Sequence, residues 1–335
     1  MRAVIRALAI ALVMIVTVGA QQGPTALLPP GRSLLHAHNC YPEKGRFADR
    51  LERALKTGVT PLVIEQDLAL AIRDGQPVPV VSHDTELTGT EPTLDEHFFK
   101  RVQPLLDRAL AAKTPAQWPV LVLHLDFKTN ETEHHRAVWD LLKRYERWLT
   151  TAPRVSSGIA PVAPGPLLVL TENGAGQETD FTDARTGDRL LLFGSAPAPA
   201  ASSIEDADQR SRALATASAE ELIATPATNY RRWVNFSWQV IESGGQPRAG
   251  DWTGADTARL NAIVDRAHSL GYLVRFYTLN GHAAREHPEW SAGYNFGSFD
   301  AVQRRWRAAI GAGVDLIATD QYEEFAALLT SAAKR

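Results

Sequence analysis

The chain is predicted to fold as an α/β protein, a closed (β/α)8 TIM barrel with a β-hairpin arm after its second strand. Eight short apolar runs of strand character alternate with helix-periodic segments from residue 32 to residue 335. Such alternation implies a parallel sheet, and eight units close it into a barrel. The polar residues of those runs gather at their C-terminal ends, at His36, Glu65, Asp67, Asp126, Lys128, Glu172, Asn173 and Asp320, the end at which such barrels carry their active sites. An Asp74-Gly75 pair between two apolar runs is a hairpin signal.

In chain order, Ser33 to His38 reads as the first strand and Arg46 to Thr57 as a helix, with Phe47, Leu51, Ala54 and Leu55 on one face and Gly58 as its stop. Pro61 to Ile64 leads into Glu65 and Asp67, and Val78 to Ser82 folds back beside it as the arm. Thr93 to Ala112 is helix-periodic but carries Pro104. The next strands are Val120 to Phe127, Leu167 to Leu170, Leu190 to Phe193 and Trp233 to Ser237. Helices are expected at Thr132 to Leu149, Ala219 to Ala224, Thr257 to Leu270, Phe299 to Ile310 and Glu323 to Ala333. Tyr272 to Thr278 and Val314 to Thr319 complete the strands. The Ala-, Ser- and Pro-rich stretch around 195–230 is expected to be partly a flexible insertion.

The N-terminus has the pattern of an export signal. Arg2 and Arg6 precede an apolar stretch from Ala7 to Val18, and Val18-Gly19-Ala20 suits signal-peptidase cleavage. Residues 1–20 are therefore expected to leave as a signal peptide, 21–31 to form a linker, and 32–335 to be a single domain, exported to the periplasm or secreted. The apolar stretch is short for a membrane span, and no stable span is expected after cleavage. A net charge of -3 gives no global attraction to nucleic acid or an anionic membrane. The single cysteine, Cys40, excludes an internal disulfide framework. A monomer is expected.

Residues two apart on a strand share a face, so Glu65 and Asp67 point the same way. Side-by-side carboxylates repel unless a cation or proton lies between them. With Asp126 they form an all-oxygen set that suits one Mg²⁺ or Ca²⁺. Lys128 shares a face with Asp126 and offers a fixed positive charge for a phosphate oxygen. His36 and His83 end neighbouring elements and are placed to act as base and acid on a metal-bound phosphodiester. Salt bridges at the barrel rim are the structural alternative for the acids and for Lys128. His124 is expected to be a hydrogen-bonded core residue. Trp118, Trp238, Trp252, Tyr277 and Trp290 suit either a lipid-accepting mouth or core packing.

The pattern His36 … Glu65-x-Asp67 … Pro79-Val80-Val81-Ser82-His83-Asp84 resembles the glycerophosphodiester phosphodiesterases of the PLC-like phosphodiesterase superfamily. Val274 to Asn280 and Gly313 to Asp320 look like the same family. Leu125-Asp126-Phe127-Lys128-Thr129 is closer to the sphingomyelinase D enzymes. His36-Ala37-His38-Asn39 and Thr171-Glu172-Asn173-Gly174 look like the altered-inheritance-of-mitochondria branch. The resemblance implies a metal-dependent phosphoric diester hydrolase acting on a glycerophosphodiester or (lyso)phospholipid-like substrate. It implies His36 and His83 as the acid–base pair, Glu65, Asp67 and Asp126 as ligands of one Mg²⁺ or Ca²⁺, and Lys128, Asn39 and Asn173 as substrate contacts. Glycerophosphodiesterases follow the first His with Arg and Gly, where this chain has Ala37 and His38. The resemblance thus defines the reaction class more closely than the substrate.

Two other readings compete. His36-x-His38 also resembles the metal sites of amidohydrolases and of the polymerase-and-histidinol-phosphatase group. A barrel that binds a phosphorylated ligand without turnover is the non-enzymatic alternative.

Overall fold

In the computed structural model, the described residues are 25–43, 46–183, 185, 187–198, 204–283 and 292–332. The expected signal segment and Trp290 lie outside them.

Eleven strands are described. They are β1 (Leu34–Ala37), β2 (Leu62–Arg73), β3 (Gln76–Val81), β4 (Leu121–Phe127), β5 (Ala152–Pro153), β6 (Leu167–Thr171), β7 (Arg189–Leu190), β8 (Phe193–Ala196), β9 (Arg231–Ser237), β10 (Leu273–Tyr277) and β11 (Leu316–Thr319). Eight of them pair in parallel in the order β1-β2-β4-β6-β8-β9-β10-β11, and β11 returns to β1. This is a closed (β/α)8 barrel. The crossovers carry α1 (Arg50–Lys56), α2 (Lys100–Ala112), α3 (Thr132–Arg144), α4 (Gln177–Phe181), α5 (Ala207–Thr216), α6 (Ala219–Leu222), α7 (Gly254–Ser269) and α8 (Phe299–Ala312), with α9 (Tyr322–Ala332) closing the ring. No helix among the described residues is long and apolar enough to cross a membrane.

The apolar strands are buried on both faces: β4 and β6 are nearly continuous Leu and Val, as expected where helices cover a parallel sheet. Helix faces supply the outer half of the core, with Val138, Leu141 and Leu142 from α3 and Leu260, Ile263 and Val264 from α7.

The arm is β3, antiparallel to the distal half of β2, with Leu68 opposite Val81 and Arg73 opposite Gln76. The two turn residues, Asp74 and Gly75, both have positive φ (51° and 75°), the geometry of the hairpin turn that Asp-Gly favours.

Three elements differ from expectation. The first helix begins at Arg50, because Arg46 is paired with Glu43 and Phe47 has a positive φ. The helix through Pro104 starts with a π turn at Asp95–Phe99. The Leu190 to Phe193 run divides: Leu190 belongs to β7, paired with β5, and Phe193 opens β8. The described part of the 195–230 stretch carries α5 and α6; 199–203 lie outside the described residues.

Candidate active site

Register builds the site. Across the β2–β4 pair, Glu65 stands opposite His124 and Asp67 opposite Asp126. The two-residue period then stacks layers inside the barrel. The lower layer holds His36, His124, Glu65 and Arg275; the upper layer holds His38, Asp67, Asp126 and Lys128. Above them opens a cavity of about 330 Å³, lined by Glu65, Asp67, Asp126, Lys128, His38, His83 and others.

Glu65, Asp67 and Asp126 converge as expected, with one candidate ligand atom from each within 4.8 Å of the others. Lys128 Nζ lies 2.9 Å from Asp67 Oδ2 and 2.7 Å from Asp126 Oδ2. The Tyr41 hydroxyl hydrogen-bonds Asp67 Oδ2 at 2.8 Å. Asp67 Oδ1 is buried and has no hydrogen-bond partner among the described residues. Burial first, and the neighbouring Asp126 next, push the Asp67 carboxyl up to about 7. A buried carboxylate oxygen without a donor is costly. Its position beside two more carboxylates suits a metal ligand. The cavity lining holds five carboxyl groups, of Glu43, Glu65, Asp67, Asp126 and Glu172, against the two fixed positive charges of Lys128 and Arg275. The donor set therefore fits Mg²⁺ or Ca²⁺.

The structure corrects the placement of His36. Its side chain is fully buried below the cavity and does not line it. Arg275 Nε donates to its Nδ1 at 3.0 Å, and its Nε2 lies 3.1 Å from Glu65 Oε2 and 3.2 Å from His124 Nδ1. Burial and Arg275 hold its pKa well below the ordinary value. Both ring nitrogens are engaged, so it is placed to hold Glu65 and not to exchange protons with a substrate.

His38 reaches the cavity instead. Its Nδ1 lies 3.1 Å from Asp320 Oδ1, and its Nε2 lies 3.9 Å from Glu65 Oε1. Asp320 is itself held by Arg50 Nη1 at 2.7 Å and Asn280 Nδ2 at 2.5 Å. Burial works against the His38 imidazolium, but Glu65 and Asp320 outweigh it and raise the pKa. His83 also lines the cavity, half exposed at the end of the arm, beside Asp84. The backbone N–H of its neighbour Ser82 donates to Asp67 O at 3.0 Å, which ties the arm to the site.

Asn39 lines the cavity, with a left-handed φ of 53° that Asn tolerates. Asn173 is exposed and does not line it; its neighbour Glu172 does, accepting from Asn235 Nδ2 at 2.8 Å. Of the aromatic candidates, Tyr277 lines the cavity, whereas Trp118 and Trp238 are core residues. Arg275 is the main residue that residue-level reading missed. Its signal was present: one charged residue inside the apolar strand Leu273–Tyr277. Its Nη2 lies 2.6 Å from Glu65 Oε2 and its Nη1 2.9 Å from Asn235 Oδ1. Burial alone would raise the Glu65 pKa, but Arg275 and His38 override it and hold the carboxyl well below the usual range.

Fold and site together define a (β/α)8 barrel with an acidic, histidine-flanked centre at the C-terminal ends of its strands. No family model and no curated protein matches the chain. Among solved structures it is similar to a glycerophosphodiester phosphodiesterase from Parabacteroides distasonis, at 14% identity and a TM-score of 0.48 over 91% of this chain and 99% of that one. It is also similar to a dihydropteroate synthase from Xanthomonas albilineans, at 13% identity and 0.39 over 90% and 92%. A third likeness is to dihydropteroate synthase from Thermus thermophilus, at 15% and 0.36 over 90% and 93%. None of these likenesses assigns a role to a residue of this chain.

Proposed function

We propose that the protein is a metal-dependent phosphoric diester hydrolase in which His38 and His83 are the acid–base pair. The observation that carries this reading is the meeting of three strand-end carboxylates around the partnerless Asp67 Oδ1, beside His38. Glu65, Asp67 and Asp126 would hold one divalent ion, which when bound supplies neutralisation of charge on the phosphoryl oxygens. Asp320 holds the His38 Nδ1 side and leaves Nε2 towards the cavity. One histidine takes the proton of the attacking water or substrate hydroxyl. The other returns a proton to the leaving oxygen. Lys128 supplies a fixed positive charge at the acidic cluster, and Asn39 a polar contact at the rim. The substrate class is a glycerophosphodiester or a (lyso)phospholipid-like diester, and the protein acts as an exported monomer.

The amidohydrolase-like alternative would need His36 and His38 as joint metal ligands. His36 groups instead with Glu65 and His124, and carries the Arg275 guanidinium on its Nδ1.

The test is a panel of bis(p-nitrophenyl) phosphate, glycerophosphodiesters and a lysophospholipid, assayed with Mg²⁺ and with Ca²⁺. His38→Ala and His83→Ala should each lower turnover about 10²- to 10⁴-fold. Binding of metal and diester without turnover across the panel sinks the catalytic reading and leaves a phospho-ligand-binding barrel. N-terminal sequencing of protein recovered outside the cytoplasm tests export; a chain still starting at Met1 counts against cleavage.

A further inference from the structure

Each of the three carboxylates at the acidic cluster has one oxygen already held by the protein. Glu65 Oε2 receives Arg275 Nη2 at 2.6 Å, with His36 Nε2 at 3.1 Å and His124 Nδ1 at 3.7 Å. Asp67 Oδ2 is held by Tyr41 and Lys128, and Asp126 Oδ2 by Lys128. The other oxygen of each, Glu65 Oε1, Asp67 Oδ1 and Asp126 Oδ1, is not engaged by these donors; Glu65 Oε1 lies 3.9 Å from His38 Nε2. A carboxylate whose second oxygen is held by a strong donor cannot easily turn both oxygens to one ion. Mg²⁺ binds carboxylates singly, in strict octahedral geometry, and keeps several waters; Ca²⁺ takes six to eight oxygens and readily accepts two-oxygen carboxylates.

The three restraints are not equal. Lys128 is a point charge shared between two aspartates, with its side chain about a fifth exposed. Arg275 is 2% exposed and is itself braced, by His36 through Nε and Asn235 through Nη1. Glu65 has the longest of the three acidic side chains, so its rotation is what would most readily admit a second oxygen.

We propose that Arg275 is the residue that sets metal choice: by holding Glu65 to single-oxygen presentation it makes this a Mg²⁺ site and disfavours Ca²⁺. This rests on the metal-dependent reading above. Arg275 acts in this proposal through its hold on Glu65, as a positioning residue.

The test measures binding of Mg²⁺ and Ca²⁺ by titration calorimetry to the intact protein, Arg275→Met and Arg275→Lys, with metal-free melting as the check on folding. Loss of the Arg275 charge strengthens binding of any divalent ion alike, so that effect cancels in the ratio of the two affinities. The parent should prefer Mg²⁺. Arg275→Met should move the ratio towards Ca²⁺ by about tenfold or more, and Arg275→Lys, which keeps the charge and loses the fork, by an intermediate amount. A parent that prefers Ca²⁺, or a ratio unchanged in the variants, overturns the proposal; if Arg275→Met does not fold, the Arg275→Lys ratio decides alone. A parent that binds neither ion overturns the metal-dependent reading itself.

Discussion

Replacing Asp320 by Asn isolates the role of the residue behind His38. The Asp320 carboxylate accepts from Arg50 Nη1 at 2.7 Å and His38 Nδ1 at 3.1 Å through Oδ1, and from Asn280 Nδ2 at 2.5 Å through Oδ2. An amide has one oxygen for these two positions. With nitrogen at Oδ2, two donors meet at Asn280. With nitrogen at Oδ1, a donor meets Arg50. Hydrogen bonds to charged groups contribute about 1.5–3 kcal/mol and neutral ones about 0.5–1.5, so the exchange and the mismatched donor together cost about 3 kcal/mol. For a domain of this size that lowers Tm by roughly 6 °C. The kinetic effect is larger, because His38 loses one of the two carboxylates that favour its charged form. Turnover of a responsive diester should fall about 10²- to 10⁴-fold, with KM nearly unchanged. Since Asp320 raises the His38 pKa, the limb of the pH–rate profile governed by that imidazole should move to lower pH. The assay is steady-state kinetics from pH 5 to 9, alongside thermal melting. A variant that is folded, turns over within a few-fold of the parent and keeps the same limb would refute the assignment of Asp320 as the orienting group.

Three further outcomes are expected. Glu242→Gln should destabilise by about 3–5 kcal/mol, because Arg305, 2% exposed, loses the charge it pairs with at 2.6 Å, whereas an apolar replacement of both partners should be nearly neutral; denaturant melts of the single and double variants check this. His97 and His134 are both held down to about 4, chiefly by burial. The unfolded chain binds their protons first, so stability is full above about pH 6.5 and falls as pH drops towards 4, by at most about 3 kcal/mol for each site; His134→Asn should flatten the slope of Tm against pH in that window. Mg²⁺ at a hundred times its Kd should stabilise the protein by about 2.7 kcal/mol, and Asp67→Asn should abolish most of that gain in a melting assay with and without the ion.

The barrel was legible because its strands are apolar runs of the right length, such as Leu121–Phe127, and its arm because Asp74-Gly75 suits a two-residue turn. Glu65, Asp67, Asp126 and Lys128 could be placed because strand period alone puts them on one face. The choice between His36 and His38 could not be made that way, since both share that face. It depends on which layer each occupies: His36 stands opposite Val63 and meets Arg275 of β10, more than two hundred residues away in the chain, a contact that no local spacing reveals. Asn173 failed for a related reason: the loop after β6 turns Glu172 inward to Asn235 and leaves its neighbour in solvent. The limits of the first helix escaped prediction because Phe47 adopts a left-handed φ that its apolar spacing does not reveal.

The arm leaves half of the proposed acid–base pair outside the barrel wall. From Arg73–Gln76 to Leu68–Val81 the ladder has six paired positions, a lever of roughly 17 Å. Its register is set at the far end by two solvent-facing turn residues. A slip of one residue there would turn His83 to the opposite face without replacing a single carboxylate of the acidic cluster. Changes at an outlying surface turn therefore have a direct route to the placement of His83, while the carboxylates lining the cavity stay as they are.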